Sequence, residues 1–308
     1  MQSLQISGTR LCPSVLCLGT GQLGSALSEA ESFALLDRFA EHGGTFLDSA
    51  HIYAAWLPNG TGASERTVGK WLRARNCRNR FVFATKGGHP ELKTMNVSRL
   101  KPSDIRQDLA ESLTRAQLDC VDLYWLHRDD PAIPVGEILG VLNELQREKR
   151  IRAFGCSNWT TARIEEAAAF ARRSGMETFC ASQISWSLLH ETNPPYTAGG
   201  MLAMDQTAFD FHSRTQMAQI PYSSQARGFF AKPLAENASA INARRWHAAQ
   251  SLAGRKGCSP NQIALAWLMQ QPFPVFPIIG SRTREQIDDT SRALDVKLTA
   301  QEARELTD

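Results

Sequence analysis

Short apolar runs alternate along this chain with longer stretches in which apolar residues recur every three or four positions. The runs are VLCLGT (15–20), TFLDSA (45–50), FVFATKG (81–87), VDLYWLH (121–127), IRAFGCSN (151–158), FCASQISW (179–186), IPYSS (220–224) and VFPIIGS (275–281). Their length and side chains predict eight strands. The stretches between them predict amphipathic helices. In SFALLDRFAEHGG, Phe33, Leu36, Phe39 and Ala40 share a face and Gly43 supplies the stop. In KPSDIRQDLAESLTRAQL, Ser103 is expected as the cap, and Ile105, Leu109, Leu113 and Leu118 as the buried side. Ahead of the first strand, LQISGTRLCPSV predicts a small hairpin turning at Ser7 and Gly8.

Eight strand–helix units in 308 residues, with no Pro/Gly/Ser-rich linker, predict one α/β domain over residues 1–308. The expected fold is a closed (β/α)8 TIM barrel with an N-terminal β-hairpin and extra helices at the C-terminal end. A 43% hydrophobic content suffices for a core of that size. A charged fraction of 21% and a formal net charge of +3 argue against disorder and against a nucleic-acid partner. No apolar run approaches the roughly 20 residues a membrane helix needs, and the first residues lack a basic region followed by an apolar core. A soluble, unexported, cytoplasmic protein without a membrane partner is expected, as a monomer or weak homo-oligomer. The seven cysteines are an odd number without a C-x-x-C pair, which predicts reduced thiols and no metal site.

Active sites of such barrels gather at the carboxyl ends of the strands. Asp48 ends the second predicted strand, Lys86 the third, His127 the fourth, Ser157 and Asn158 the fifth, and Gln183 the sixth; Tyr53 follows Asp48 in a loop. Each has a plain alternative: a helix cap, a solvated strand end, a core imidazole, a rim aromatic. Their coincidence at one mouth points instead to chemistry. A tyrosine hydroxyl with an ordinary pKa of about 10 is a poor acid at neutral pH, and a nearby ammonium lowers that value. Lys86 is placed to supply the ammonium, and Asp48 to keep it charged. His127 can then donate a hydrogen bond to a carbonyl oxygen while Tyr53 protonates it.

These segments resemble those of the aldo-keto reductase superfamily over nearly the whole chain. FLDSAHIY is similar to the family's Asp and Tyr segment, ATKGG to its Lys segment and VDLYWLHRDDP to its His strand. The resemblance implies that Asp48, Tyr53, Lys86 and His127 are catalytic and that NADP(H) lies extended across the barrel mouth. Ser157 and Asn158 of GCSNWT and Gln183 of SQISWS would then hold the nicotinamide carboxamide. Tyr222 would stack on the nicotinamide, with Ser223 and Gln225 near the pyrophosphate and Gly280, Ser281, Arg282 and Gln286 at the adenosine end. The chain departs from the family pattern at Ser224-Gln225-Ala226, at Thr290 and in the loop AAWLPNGTGASE after Tyr53. An NADPH-dependent carbonyl reductase is the function implied. An NADP-binding redox sensor resembling potassium-channel β subunits, or a Schiff-base lyase using Lys86, are the alternatives. Trp56, Trp159, Trp186 and His190 are candidate pocket walls. With the polar PNGTGASE segment, they suggest a small hydroxylated or sugar-like carbonyl substrate.

Overall fold

The computed structural model describes residues 1–190 and 200–307. Its centre is a parallel sheet of β1 (Cys17–Gly19), β2 (Phe46–Asp48), β3 (Val82–Gly87), β4 (Val121–Leu126), β5 (Ile151–Ser157), β6 (Ala181–Gln183), β7 (Ala218–Gln219) and β8 (Ile278–Ile279). The strand order is β7-β6-β5-β4-β3-β2-β1-β8. Gln219 donates its N–H to the Pro274 carbonyl (2.9 Å) and accepts from the Phe276 N–H (2.9 Å), while Ile278 donates to Pro221 (3.0 Å). Those bonds join β7 to the segment leading into β8 and close the (β/α)8 barrel.

The helices α1 (Glu29–Glu41), α2 (Ala63–Ala74), α3 (Pro102–Ala116), α4 (Val135–Arg147), α5 (Thr161–Ser174) and α6 (Gln206–Thr215) follow β1 to β6 in turn. Both α7 (Ala240–Lys256) and α8 (Pro260–Met269) lie between β7 and β8, and α9 (Arg284–Arg292) and α10 (Ala300–Glu305) follow β8. The extra helices therefore fall on either side of the last strand. Capping is explicit in the sequence. Ser28 and Glu31 form a capping box at α1, and Ser259 and Gln262 form one at α8.

Two expectations need correction. The seventh strand is Ala218–Gln219, not residues 220–224, because Pro221 has no N–H to give a ladder and the chain turns at Ser223 in the left-handed region. Helix α3 starts at Pro102, with Lys101 at the cap position and no side-chain cap, since the proline ring already sets the first-turn φ. The hairpin forms as expected: Ile6 donates to Leu11 (2.9 Å), Leu4 donates to Pro13 (3.0 Å), and Gly8 sits at φ +75°.

Alternation along the strands sorts side chains into two cores. Cys17, Phe46, Ala84, Leu123, Trp125, Ala153, Ala181 and Phe276 fill the barrel interior together with Ile6 and Leu11 of the hairpin. Leu18, Leu47, Phe83, Tyr124 and Phe154 face the helices. All seven cysteines are unpaired thiols. Among the described residues no helix is long and apolar enough to cross a membrane.

Gly69 of α2 lies against α3: a Cβ there would stand 2.0 Å from the Ala116 carbonyl oxygen and 2.7 Å from its Cα. Helix propensity alone would make alanine better at this position by about 1 kcal/mol. The contact is with backbone, which cannot rotate away, so overpacking dominates. Gly69→Ala is expected to destabilise the fold by about 1–3 kcal/mol, read from the urea midpoint; a rise in the midpoint would contradict this.

Candidate active site

Three adjacent strands bring the polar strand ends together. Past Asp48 the β2–β3 ladder continues, with Ser49 donating to Ala84 (2.8 Å) and His51 to Lys86 (2.8 Å), before the chain turns at Ala50–Tyr53. Lys86 Nζ donates to Asp48 Oδ2, to the Ser49 carbonyl (2.8 Å) and to the Tyr53 hydroxyl (3.1 Å). Both ion-pair side chains are 1% exposed, so neither charge is solvated by water. Gln183 Nε2 reaches the other Asp48 oxygen at 3.4 Å. The Tyr53 ring is wedged against Gly21, where a Cβ would lie 3.5 Å from it, and meets the His127 ring edge-on at 6.2 Å.

Electrostatics follow from this burial. Burial lowers the Lys86 ammonium, but the Asp48 charge and Tyr53 outweigh it and raise the group above its ordinary value. Burial likewise pushes the Asp48 carboxyl up, against the opposing pull of Lys86. We read Lys86 as cationic, because it donates three hydrogen bonds and has a carboxylate among its acceptors. For Tyr53 burial raises the hydroxyl and Lys86 lowers it, and the net direction is upward. The expected net lowering of Tyr53 is thus corrected: Lys86 limits the rise that burial causes. Burial, then Lys86 and Arg128, hold the His127 imidazole well below its ordinary range, so the ring is neutral.

The remaining candidates divide. Asn158, at φ +60°, donates through Nδ2 to Ser157 Oγ (3.0 Å) and the His127 carbonyl (3.4 Å), and its Oδ1 accepts from the Tyr222 hydroxyl (2.8 Å) and the Leu202 N–H (2.9 Å). Ser157, Asn158, Gln183 and Tyr222 therefore form one connected cluster beside Asp48. From Tyr53 a groove of about 950 Å³ runs past Ser223 and Gln225 to Gly280, Arg282, Gln286 and Thr290. Gln225 spans it, accepting from the Gly280 N–H (2.9 Å) and donating towards Thr290 (3.3 Å) and Asn261 (3.4 Å). Gln286 accepts from the Arg282 N–H (2.7 Å). Ser281 Oγ is buried with no partner among the described residues.

The candidate pocket walls fare worse. Trp159 is 2% exposed, with its ring against Phe179 and Arg163 and its Nε1 on the Arg128 carbonyl (3.0 Å), so it presents no face to a ligand. Trp186 packs on Phe209, Trp267 and Phe273. With His190 it lines a separate cavity of about 500 Å³ that shares no lining residue with the groove at Tyr53. Trp56 is 58% exposed in the loop after Tyr53. Sequence reasoning missed His89 and Arg128, which flank His127; His89 hides in Gly87-Gly88-His89-Pro90, which reads as a turn. Among the described residues no His/Cys/Asp/Glu group could hold a metal ion.

The chain belongs to the aldo/keto reductase family, whose model matches residues 15–308. It is 28% identical to norsolorinic acid reductase stcV of Emericella nidulans, over 98% of this chain and 79% of that protein. It is 29% identical to the uncharacterized oxidoreductase YrpG of Bacillus subtilis, over 100% and 95%. A solved structure of a thermostable aldo-keto reductase in complex with the inhibitor epalrestat superposes over 100% of this chain and 99% of that one, with a TM-score of 0.79 at 23% identity, a likeness of fold. The family places the protein among oxidoreductases that reduce carbonyl groups.

Replacing Asp48 by asparagine would leave the Lys86 ammonium buried without a counter-charge. The expected cost is about 3–5 kcal/mol. Removing the ammonium as well, in Asp48→Asn/Lys86→Met, is expected to recover much of it. Denaturation of both variants checks this, and a double variant no more stable than the single one would contradict it.

Proposed function

We propose that the protein reduces an aldehyde or ketone to the alcohol with NADPH, with Tyr53 as the general acid. The observation that carries this reading is the Lys86 ammonium, buried on Asp48 and 3.1 Å from the Tyr53 hydroxyl. The residues along the groove fit the cofactor. Its volume of about 950 Å³ suits an extended dinucleotide, and the buried Ser281 hydroxyl lacks a partner among the described residues. Arg282 is exposed and makes no ion pair among the described residues, while Asp289 in the same wall is engaged by Asn261 and Gln262. Ser157, Asn158 and Gln183 would hold the nicotinamide end, Tyr222 would stack on it, and Arg282 would meet a phosphate with its planar fork.

When bound there, NADPH would supply the hydride for the carbonyl carbon. Tyr53 gives its proton to the oxygen, and Lys86 stabilises the phenolate that remains. His127, neutral, can donate one N–H to the same oxygen and fix its approach. Asp48 keeps Lys86 charged and in place. Because the Tyr53 hydroxyl lies above its ordinary range, the acid is fully loaded at neutral pH. Reduction needs the protonated form, so its rate should hold through neutral pH and fall only as the pH rises through the Tyr53 pKa. Alcohol oxidation needs the phenolate and should rise over the same interval.

Tyr53→Phe deletes only the hydroxyl and is expected to lower turnover of 4-nitrobenzaldehyde by about 10²-fold or more, with NADPH binding retained. Retention of more than about a tenth of wild-type turnover under chemistry-limited conditions would remove Tyr53 from this role. Wild-type turnover of a panel of aldehydes decides between a reductase and a redox sensor, since a sensor would turn them over only weakly. For the cofactor, fluorescence titration should show tighter NADPH than NADH binding, with Arg282→Ala narrowing the difference. Equal affinities in the unmodified protein would count against Arg282 as the phosphate ligand.

A further inference from the structure

We propose that His89 accepts a hydrogen bond from a substrate hydroxyl, and that the site prefers carbonyl compounds carrying a hydroxyl on the carbon next to the carbonyl. This rests on the reductase reading above and names the substrate class of that site. The backbone leading to His89 is fixed. Gly88 sits at φ +72° and donates its N–H to Asp108 Oδ2 (2.8 Å), and Asp108 is fully buried and paired with Arg99. A Cβ at Gly88 would stand 2.5 Å from Leu100 Cδ2. The half-buried His89 ring then meets the His127 ring edge-to-face, with centroids 4.8 Å apart.

The tautomer of His89 follows from its partner. Nδ1 is 2.6 Å from the Pro90 carbonyl oxygen, which can only accept, so Nδ1 carries the proton. Burial lowers the ring's pKa, the Pro90 bond opposes this and Arg128 adds to it, with a net downward direction. The neutral ring therefore has a bare lone pair on Nε2, and that atom has no hydrogen-bond partner among the described residues. The ring is half-buried against His127, and Nε2 keeps access to solvent there.

A proton donor on His127 thus stands beside a proton acceptor on His89. A simple carbonyl engages only Tyr53 and His127, and its neighbouring carbon would strip water from His89 Nε2 without replacing the bond. A hydroxyl on that carbon donates to Nε2 and restores it. The contact is present in the ground state and the transition state alike, so its loss should raise KM and leave kcat nearly unchanged.

The test uses an isosteric pair with NADPH: 2-hydroxypropanal and 2-methylpropanal, which differ by a hydroxyl in place of a methyl. The wild type is expected to favour the hydroxylated aldehyde in kcat/KM by about 10-fold or more. His89→Leu should reduce that preference at least about 10-fold through KM for 2-hydroxypropanal alone. His89→Gln, which keeps an acceptor, should restore part of it. No preference in the wild type, or an equal loss on both substrates in His89→Leu without rescue by His89→Gln, would overturn the proposal and leave the reductase reading intact if 4-nitrobenzaldehyde is still reduced. Failure to reduce any of the three aldehydes would overturn both.

Discussion

A single positive charge held out of water organises this molecule. An unpaired ammonium buried to 1% exposure would lose its proton or unfold its surroundings. Lys86 does neither, because Asp48 lies across the β2–β3 ladder from it and the Ser49 carbonyl accepts a second hydrogen bond. That pairing needs two neighbouring parallel strands whose carboxyl ends are level. The barrel supplies this: Asp48 pairs in register with Ala84, two residues before Lys86, so both side chains rise from the same rim.

The consequence for Tyr53 is a balance of opposed effects. Burial favours the neutral hydroxyl and Lys86 favours the phenolate, and in the resting protein burial is the larger. The result is a hydroxyl that stays protonated at neutral pH beside a charge that favours its phenolate. His127 contributes without charge, since burial and Lys86 together keep its imidazole neutral. A second cation at the mouth would weaken Lys86, so neutrality at His127 belongs to the same electrostatic arrangement. From this centre the groove past Ser223 and Gln225 to Thr290 offers room for a cofactor without a separate dinucleotide-binding domain.

Much of this was legible in the sequence, for particular reasons. Seven of the eight strands, all but β7, lie inside the predicted runs, because strands buried on both faces are written as continuous apolar residues. The seventh is only Ala218–Gln219, which carries no β-branched or aromatic signal, and its ladder is fixed by distant Pro274 and Phe276. Asp48, Lys86 and His127 stood out as polar groups ending apolar runs. Trp159 and Trp186 misled because a large aromatic buries as readily in the outer layer as at a binding site. His89 was invisible for the opposite reason: its neighbours Gly87, Gly88 and Pro90 look like punctuation, and only the Asp108 tether on the Gly88 N–H shows that the turn is rigid. The Tyr222 hydroxyl bond to Asn158, across 64 residues, had no sequence signal.

The tuning of Tyr53 by Lys86 can be read directly by ¹³Cζ-tyrosine NMR, titrating the Tyr53 resonance in the wild-type protein and in Lys86→Met. Assignment by Tyr53→Phe identifies the signal without relying on activity. If the buried ammonium opposes the effect of burial, Tyr53 titrates at a lower pH in the wild type than in Lys86→Met, by more than about one unit. Coincident titrations in the two proteins would contradict the claim that Lys86 acts on the Tyr53 hydroxyl.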